Sequence, residues 1–356
     1  MTTYKIALLP GDGIGEETCI EAVKVLDKIE KKYGHKFIYN KQLVGGAAID
    51  GVGEPLPEAT IKACEESDAV LFGSVGGPKW DHLPADQRPE VGALLPLRKH
   101  FELFANIRPA GVSKALASFS PIKPEIIGEG FNYTVIRELT GDVYFGEKTE
   151  SDGEKASDLM IYHRHEVERI ARLAFDLAKT QGVRVTNVDK SNVLATSRLW
   201  REVVEEIHKN EYADVELDHL YIDNATMQVL TNPHHFGVIL TGNLFGDILS
   251  DESAQISGSI GMQASASLNS DNFGLYEPMG GSAPDIANQG LANPIAQIRS
   301  AAMMLEISFG LKDEAACIEQ AINKTLADGI RTGDIFVEGS TRVGTVEMGD
   351  AIVERM

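Results

Sequence analysis

The sequence predicts an α/β protein, on three observations. Lys5-Ile-Ala-Leu-Leu9 is a short apolar run stopped by Pro10-Gly11-Asp12-Gly13-Ile14-Gly15, and a helical pattern follows from Glu17 to Tyr33. Ser67-Asp-Ala-Val-Leu-Phe-Gly73 is a second such run, ending in the glycine-rich Gly73-Ser-Val-Gly-Gly-Pro78. Phe236-Gly-Val-Ile-Leu240 is a third, running through Thr241-Gly242-Asn243 into another helical segment. Strands that end in glycine loops before helices are where α/β sheets bind ligands.

The first glycine loop is not a plain dinucleotide fingerprint. G-x-G-x-x-G requires a third glycine that falls one place early here, at Gly15, and the next strand, Phe37 to Val44, lacks the terminal acid that would hold a ribose. The helix after the loop carries an apolar stripe of Ile20, Val23, Leu26 and Ile29. Further on, Tyr162 to Lys179 is amphipathic, Ile295 to Phe309 is apolar enough to be buried, and Glu314 to Ala327 precedes a small tail with no visible chemistry. Residues 147–157 are polar and turn-rich, an excursion from the body. Leu275 to Pro294 is rich in Gly, Ala, Ser and Pro yet too apolar for a linker, which marks a structured, functional loop.

Composition bounds the function. The 356 residues are 43% hydrophobic and 24% charged, as in an ordinary globular protein, and long enough for two domains. A net charge of −20 argues against nucleic acid or an anionic membrane as the main partner. Small anionic substrates stay open, because a few arginines can reverse the field in one cleft. Cys19, Cys64 and Cys317 show neither disulfide nor zinc spacing and read as buried thiols of a reducing, cytoplasmic setting. The four apolar residues Ile6 to Leu9 before Pro10 resemble neither a signal nor a transit peptide, and no apolar run reaches membrane length.

The chemistry concentrates in Asn243-Leu-Phe-Gly-Asp-Ile-Leu-Ser-Asp251. On a helix, Asp247 and Asp251 share one face about 5–6 Å apart, with Leu244, Phe245, Ile248 and Leu249 packing the other side. Two like charges so placed call for something positive between them, and a hard divalent cation is the natural candidate beside the bland alternative of a solvated acidic face. Arg98, on a helix, Arg108, on the strand after it, and Arg137 each stand at the edge of an apolar run. One such arginine is ordinarily a surface ion pair, whereas three suit carboxylate recognition. Leu94 and Leu95 are either core or the wall of an apolar pocket. Lys190 follows the strand Arg184 to Asp189, where burial would give it a basic role, and Asp223 stands at the end of the strand Val215 to Tyr221.

Six motifs then occur in a recognisable order: Gly11-Asp-Gly-Ile-Gly15, Gly73-Ser-Val-Gly-Gly-Pro-Lys-Trp80, Arg137-Glu-Leu-Thr-Gly141, Asp189-Lys-Ser-Asn-Val193, Asn243 to Asp251, and Gly281-Ser-Ala-Pro-Asp-Ile-Ala287. From about residue 4 to about residue 350 the chain resembles the metal-dependent decarboxylating β-hydroxyacid dehydrogenases. The resemblance implies a two-domain isocitrate/isopropylmalate dehydrogenase-like fold that is not Rossmann, with the active cleft between domains. Residues 1–103 and 259–356 would form the first domain, with most of the NAD site. Residues 104–258 would form the second, with the dimer contacts, an arm at about 140–160 and the metal ligands.

The same resemblance implies a homodimer with shared active sites. Mg²⁺ or Mn²⁺, one per site, would be held by Asp247, Asp251 and the other subunit's Asp223, which also lies against substrate. Arg98, Arg108 and Arg137 would grip carboxylates, the other subunit's Lys190 would act as base, and Tyr144 would protonate the enol. NAD would lie along Ile14, Gly77, Glu90, Glu277, Gly281, Ser282, Ala283, Asp285, Ile286 and Asn293, with Asp285 accepting from the ribose hydroxyls and repelling a 2′-phosphate. Glu90, Leu94, Leu95 and Val193 would set substrate choice. The leucine pair suits an isopropyl group, so the expected reaction is 3-isopropylmalate to 4-methyl-2-oxopentanoate, in leucine biosynthesis. D-malate, tartrate or another 3-substituted malate is the alternative. Two positions depart from the family pattern: Glu16 stands where proline is usual, and Asp142 where a second glycine follows Thr140-Gly141. If the latter position needs positive φ, Asp is tolerable but strained, and the placement of Tyr144 depends on it.

Overall fold

The computed structural model describes residues 2–113 and 116–356. The chain forms two compact units, Met1–Phe101 with Gly258–Met356, and Glu102–Ser257.

In the first unit β1 (Thr3–Gly11) leads into α1 (Gly15–Tyr33), followed by β2 (Lys36–Lys41), α2 (Gly46–Val52), α3 (Glu58–Glu65), β3 (Ala69–Ser74) and α4 (Leu95–His100). β1 pairs in parallel with both β2 and β3. All six residues of β3 are buried, as expected of a parallel strand covered on both faces. α1 buries Cys19, Ala22, Val25, Leu26 and Ile29. The apolar stripe is therefore rotated from the one expected: Ile20 is 54% exposed, because Ala22 and Val25 rather than Ile20 and Val23 face inward. Gly34 closes the helix at φ 79°, a left-handed cap that glycine takes without strain.

The second unit contains β4 (Ala105–Ser113), α5 (Pro124–Ile127), β5 (Gly130–Glu138), β6 (Lys148–Thr149), β7 (Ser157–Asp158), α6 (Arg164–Gln181), β8 (Val185–Asp189), α7 (Ala195–Glu211), β9 (Leu217–Tyr221), α8 (Ile222–Thr231), β10 (Val238–Thr241) and α9 (Asn243–Ile256). β4 and β5 are antiparallel, and β5, β10, β8 and β9 follow side by side in parallel. The polar excursion is a small exposed antiparallel hairpin of β6 and β7. Asp223 does not end a strand. β9 runs directly into α8, and Asp223 lies in the first turn of that helix.

The chain then returns to the first unit with β11 (Ala264–Leu268), β12 (Gly274–Pro278), α10 (Ile295–Ile307), α11 (Lys312–Ala327), β13 (Ile330–Arg331), β14 (Thr341–Arg342) and α12 (Thr345–Glu354). β12 pairs with β3 in parallel and with β11 antiparallel. The loop read as starting at Leu275 thus starts four residues later, because Leu275 to Pro278 is strand. α10 is buried along most of its length, as its apolar sequence requires. The tail is more than a tail: α12 packs on α1, with Met348, Ala351 and Ile352 buried.

Candidate active site

The second unit gathers a charged cluster on α9. This helix packs against β4 and β5, which bring Arg108 and Arg137 up to it. Arg137 is 2% exposed. Its Nε and Nη2 donate to Asn243 Oδ1 at 3.0 and 2.7 Å, and its Nη1 donates to Asp247 Oδ1. Tyr144 Oη donates to the other oxygen, Asp247 Oδ2, at 2.7 Å, and its ring lies 5.5 Å from the Arg137 guanidinium carbon. Arg108 Nη1 lies 3.7 Å from Asp247 Oδ1 and 3.3 Å from Asp251 Oδ1, and donates to Ser250 Oγ at 2.6 Å. The positive group that the paired acids demanded is, within this chain, the Arg108 guanidinium.

Burial, more than anything else, pushes the Asp251 carboxyl above its usual range; the Asp247 charge adds to this and Arg108 opposes it. A hard divalent cation suits two such carboxylates one helical turn apart. Among the described residues no three His, Cys, Asp or Glu side chains are grouped to hold a metal. A second pair lies apart from this cluster. Lys190 Nζ donates to Asp223 Oδ2 at 2.7 Å, and the lysine holds the Asp223 carboxyl below its ordinary value.

The side chains of α9 differ from the simple two-faced expectation. Leu249 is buried, but Ile248 is 56% exposed. Asn243 does not cap the helix with its side chain; that side chain orients Arg137. The cap position is Gly242, which has no side chain to offer, and the helix's first N–H groups are satisfied from a distance. Asn243 N–H donates to Tyr162 Oη at 2.8 Å, and Leu244 N–H to Asp142 Oδ2 at 3.2 Å. Asp142 has φ 70°, in the left-handed region, and is 1% exposed. Its other oxygen accepts from Val143 N–H at 2.7 Å. The residue that departs from the family pattern thus ties the turn carrying Tyr144 to the start of α9. Gly246 was not singled out by sequence reasoning, yet a Cβ there would lie 2.7 Å from Arg137 Cγ. Its bareness lets Arg137 cross the helix.

The first unit holds a cavity of about 400 Å³ lined by Ile14, Gly281, Ala283, Ile286 and Asn293 of the expected cofactor set. Its wall is mostly backbone and small side chains. Ile14 N–H donates to Ser282 O at 2.8 Å, and Ser282 Oγ to Gly76 O at 2.7 Å, so Ser282 braces the wall from behind. Gly13, at φ 57°, leaves no room for a side chain: a Cβ would sit 1.9 Å from Ser282 O. Gly281 has open space where a Cβ would point. A dinucleotide fits such a cradle, where backbone can approach a ligand closely.

Of the other expected cofactor residues, Asp285 is exposed on a turn, Gly77 (φ 148°) starts the short helical turn Pro78–Trp80, and Glu277 is paired with Arg98 Nη2 at 3.0 Å. Arg98 therefore belongs to the first unit, whereas Arg108 and Arg137 belong to the second. Glu90, Leu94 and Leu95 lie on or beside a π-helical turn, Glu90–Leu94, a conformation frequent at functional sites. Both leucines are half-buried rather than core, and Val193 is 63% exposed.

Sequence reasoning missed two acids of this unit. Asp12 is buried and accepts from Gly46, Ala47 and Gly76 N–H at 2.8, 2.6 and 2.8 Å, which fixes the glycine loop. Asp334 lies in the tail that showed no chemistry, yet it lines the cavity and accepts from Ser259 Oγ at 2.5 Å and Asn293 Nδ2 at 3.0 Å. The place of Asp12 within Gly11-Asp-Gly was a usable signal; nothing local marked Asp334.

The family model for isocitrate/isopropylmalate dehydrogenase matches residues 5–352. The chain belongs to that family. It is 58% identical over 356 residues to the 3-isopropylmalate dehydrogenase of Mannheimia succiniciproducens, covering 99% of each chain. It is 57% identical over 353 residues to the enzyme of that name from Escherichia coli, covering 98% of this chain and 97% of the other. Among solved structures, an isocitrate dehydrogenase from Methylococcus capsulatus matches with a TM-score of 0.86 at 36% identity, covering 99% of each chain. A β-decarboxylating dehydrogenase from Thermococcus kodakarensis matches with a TM-score of 0.78 at 34% identity, covering 99% of this chain and 96% of that one. The fold is thus shared across substrates, and residues rather than architecture must choose among them.

Proposed function

We propose that the chain oxidises and decarboxylates (2R,3S)-3-isopropylmalate to 4-methyl-2-oxopentanoate, reducing NAD⁺, as a step of leucine biosynthesis in the cytoplasm. The observation that carries this reading is the α9 acid pair clamped by Arg108, Arg137 and Tyr144, in a chain 58% identical to an enzyme named for that substrate.

In this reading Arg108 and Arg137 receive substrate carboxylates through their planar forks, and Arg98 is a further carboxylate-binding residue. Asp247 and Asp251, with Asp223 of a second copy, would hold Mg²⁺ or Mn²⁺, which would supply Lewis acidity toward the substrate hydroxyl. Lys190 of that second copy takes the hydroxyl proton. NAD⁺, when bound, would supply the acceptor for the hydride from the substrate carbon, and the β-keto acid so formed is of a kind that loses CO₂ readily. Tyr144 then returns a proton to the substrate carbon; its hydroxyl already acts as a donor, toward Asp247. Asp285 and Ile286 select NAD⁺ over NADP⁺, and Glu90, Leu94, Leu95 and Val193 select the isopropyl group. An apolar wall disfavours a charged substituent by desolvation.

A dimer accounts for features that a lone chain leaves without a purpose. Met227 and Leu230 of α8 are 57% and 39% exposed, and Ile248 of α9, a helix in contact with α8, is 56% exposed. The β6–β7 hairpin offers a second contact. The substrate assignment is tested by NADH formation from 3-isopropylmalate, D-malate and isocitrate, with NADP⁺ as a parallel acceptor. The expected order places 3-isopropylmalate with NAD⁺ first in kcat/KM, by at least about tenfold, the scale on which one apolar pocket discriminates. A preference for D-malate would refute it.

A further inference from the structure

Lys190 directly follows β8, where the backbone leaves the sheet. Its N–H donates to Ser197 Oγ at 3.1 Å, and its ammonium reaches Asp223 and lies 5.8 Å from the centroid of the Tyr221 ring. A flexible four-carbon side chain so held depends on the rigidity of what precedes it. The preceding residue, Asp189, is 2% exposed and fully engaged. Arg201 of α7 grips it with both arms of its fork, Nε to Oδ2 at 2.8 Å and Nη2 to Oδ1 at 2.9 Å. Asn187 Nδ2 and Ser191 N–H donate to the same two oxygens at 2.8 and 2.9 Å.

The guanidinium has a second contact. Its carbon lies 5.4 Å from the centroid of the Tyr221 ring, the ring beside Lys190. Tyr221 is the β9 partner of Asp189 across the strand pair, and it immediately precedes α8, whose first turn holds Asp223. One guanidinium therefore touches the anchor of Lys190 on one side and the anchor of Asp223 on the other. An ion pair needed only for stability would not require that second contact.

We propose that Arg201 is a positioning residue: it locks the ends of β8 and β9 to one another, so that Lys190 and Asp223 are presented as a pair of fixed geometry. The inference rests on the reading of Lys190 as base and Asp223 as metal ligand. Arg201 itself touches neither substrate nor cofactor in this account. Lysine cannot replace it, because a point charge cannot bridge both carboxylate oxygens while lying against the ring.

The test is a double-mutant cycle on the full-length enzyme with saturating Mn²⁺, NAD⁺ and 3-isopropylmalate. Arg201→Lys is expected to lower kcat by about 10- to 100-fold, the range that small misplacement of a reacting group produces, with KM for both substrates changed less than about threefold. In a Lys190→Ala background the same substitution should cost at least about threefold less, because a large part of its effect runs through Lys190 and only the part through Asp223 remains. Tyr221→Leu leaves the ion pair intact at a residue 38% exposed, so the fold tolerates it, and a smaller loss of kcat, about three- to tenfold, is expected there. A crippled Lys190→Ala enzyme with fully active Arg201→Lys and Tyr221→Leu variants would overturn the role of Arg201 alone. Equal losses from Arg201→Lys with and without Lys190 would overturn it as well, marking a merely structural ion pair. A Lys190→Ala enzyme as fast as the parent would instead remove the reading of Lys190 on which the inference stands.

Discussion

The two units build their candidate sites from opposite materials. The cavity of the first unit is walled by backbone and small side chains: Gly13 against Ser282, Gly281 facing open space, and Ala283 held at φ 39°. The α9 cluster of the second unit is built from long charged side chains that hold one another, Arg108 and Arg137 on Asp247, with Tyr144 on its second oxygen. A backbone wall recognises by shape and is broken by adding atoms. A charged cluster recognises by field and is broken by removing them. The two regions should therefore fail under different substitutions and in different kinetic constants.

Asp247→Ala is expected to have the largest effect. It removes the proposed metal ligand and, with it, the carboxylate that accepts from Arg137 and Tyr144 and faces Arg108, and kcat/KM should fall on the order of a thousandfold or more, as when a major electrostatic stabiliser is lost. NAD⁺ binding, followed by fluorescence, should be unchanged; a parallel loss of NAD⁺ affinity would blur the contrast between the units. Gly13→Ala is the complementary lesion. Its added Cβ collides with Ser282 O, and KM for NAD⁺ should rise by about 10- to 100-fold while the Mn²⁺ dissociation constant stays put. A Gly13→Ala enzyme with normal NAD⁺ kinetics would contradict a backbone-built site.

Gly246→Ala tests where the two modes meet. In a free helix this change is stabilising by about 1 kcal/mol. Here the new methyl meets Arg137 Cγ at 2.7 Å, so a loss of kcat/KM of about tenfold is expected even if the melting temperature does not fall. Unaltered kinetics would mean that Arg137 has another way across the helix.

The mildest perturbation is pH. Asp251 has a folded pKa above its ordinary value, so as pH falls it takes up a proton before a free carboxylate would. Mn²⁺ affinity, followed by titration calorimetry, should fall about tenfold per pH unit below that raised value. The sign for stability of the metal-free protein is the reverse: the folded state binds this proton more tightly, so the contribution of Asp251 declines as pH rises through the same window. A metal affinity flat down to about pH 4, the ordinary Asp range, would contradict the shift.

Much of this was legible in the chain because it is written locally. Strand–glycine–helix runs gave β1, β3 and β10 with their loops, and the four-residue spacing of Asp247 and Asp251 put both beside Arg108. The positive φ foreseen as a possibility at Asp142 is present, at 70°. What stayed hidden acts across long sequence separations. Asn243 meets Arg137 from 106 residues away, and Asp334 meets Ser259 from 75 away. Neither partner could be named from a local window, so nothing in the sequence tied Asn243 to Arg137 or marked the tail as part of the cavity. The exposed Ile20 and Ile248 misled for a simpler reason: helical periodicity shows that a face is apolar, but not which of two adjacent positions turns inward.

We propose that one chain does not complete the site: Lys190 and Asp223 would serve the α9 cluster of a second copy. The direct measurement is complementation between two dead enzymes, Lys190→Ala and Arg137→Ala, mixed under conditions where subunit exchange is demonstrated by differently tagged chains. In the hybrid, one of the two sites would draw an intact Arg137 from one chain and an intact Lys190 from the other, and activity should return toward about a quarter of the parent's, as random pairing predicts. No recovery despite proven exchange would mean that each chain carries its own complete site.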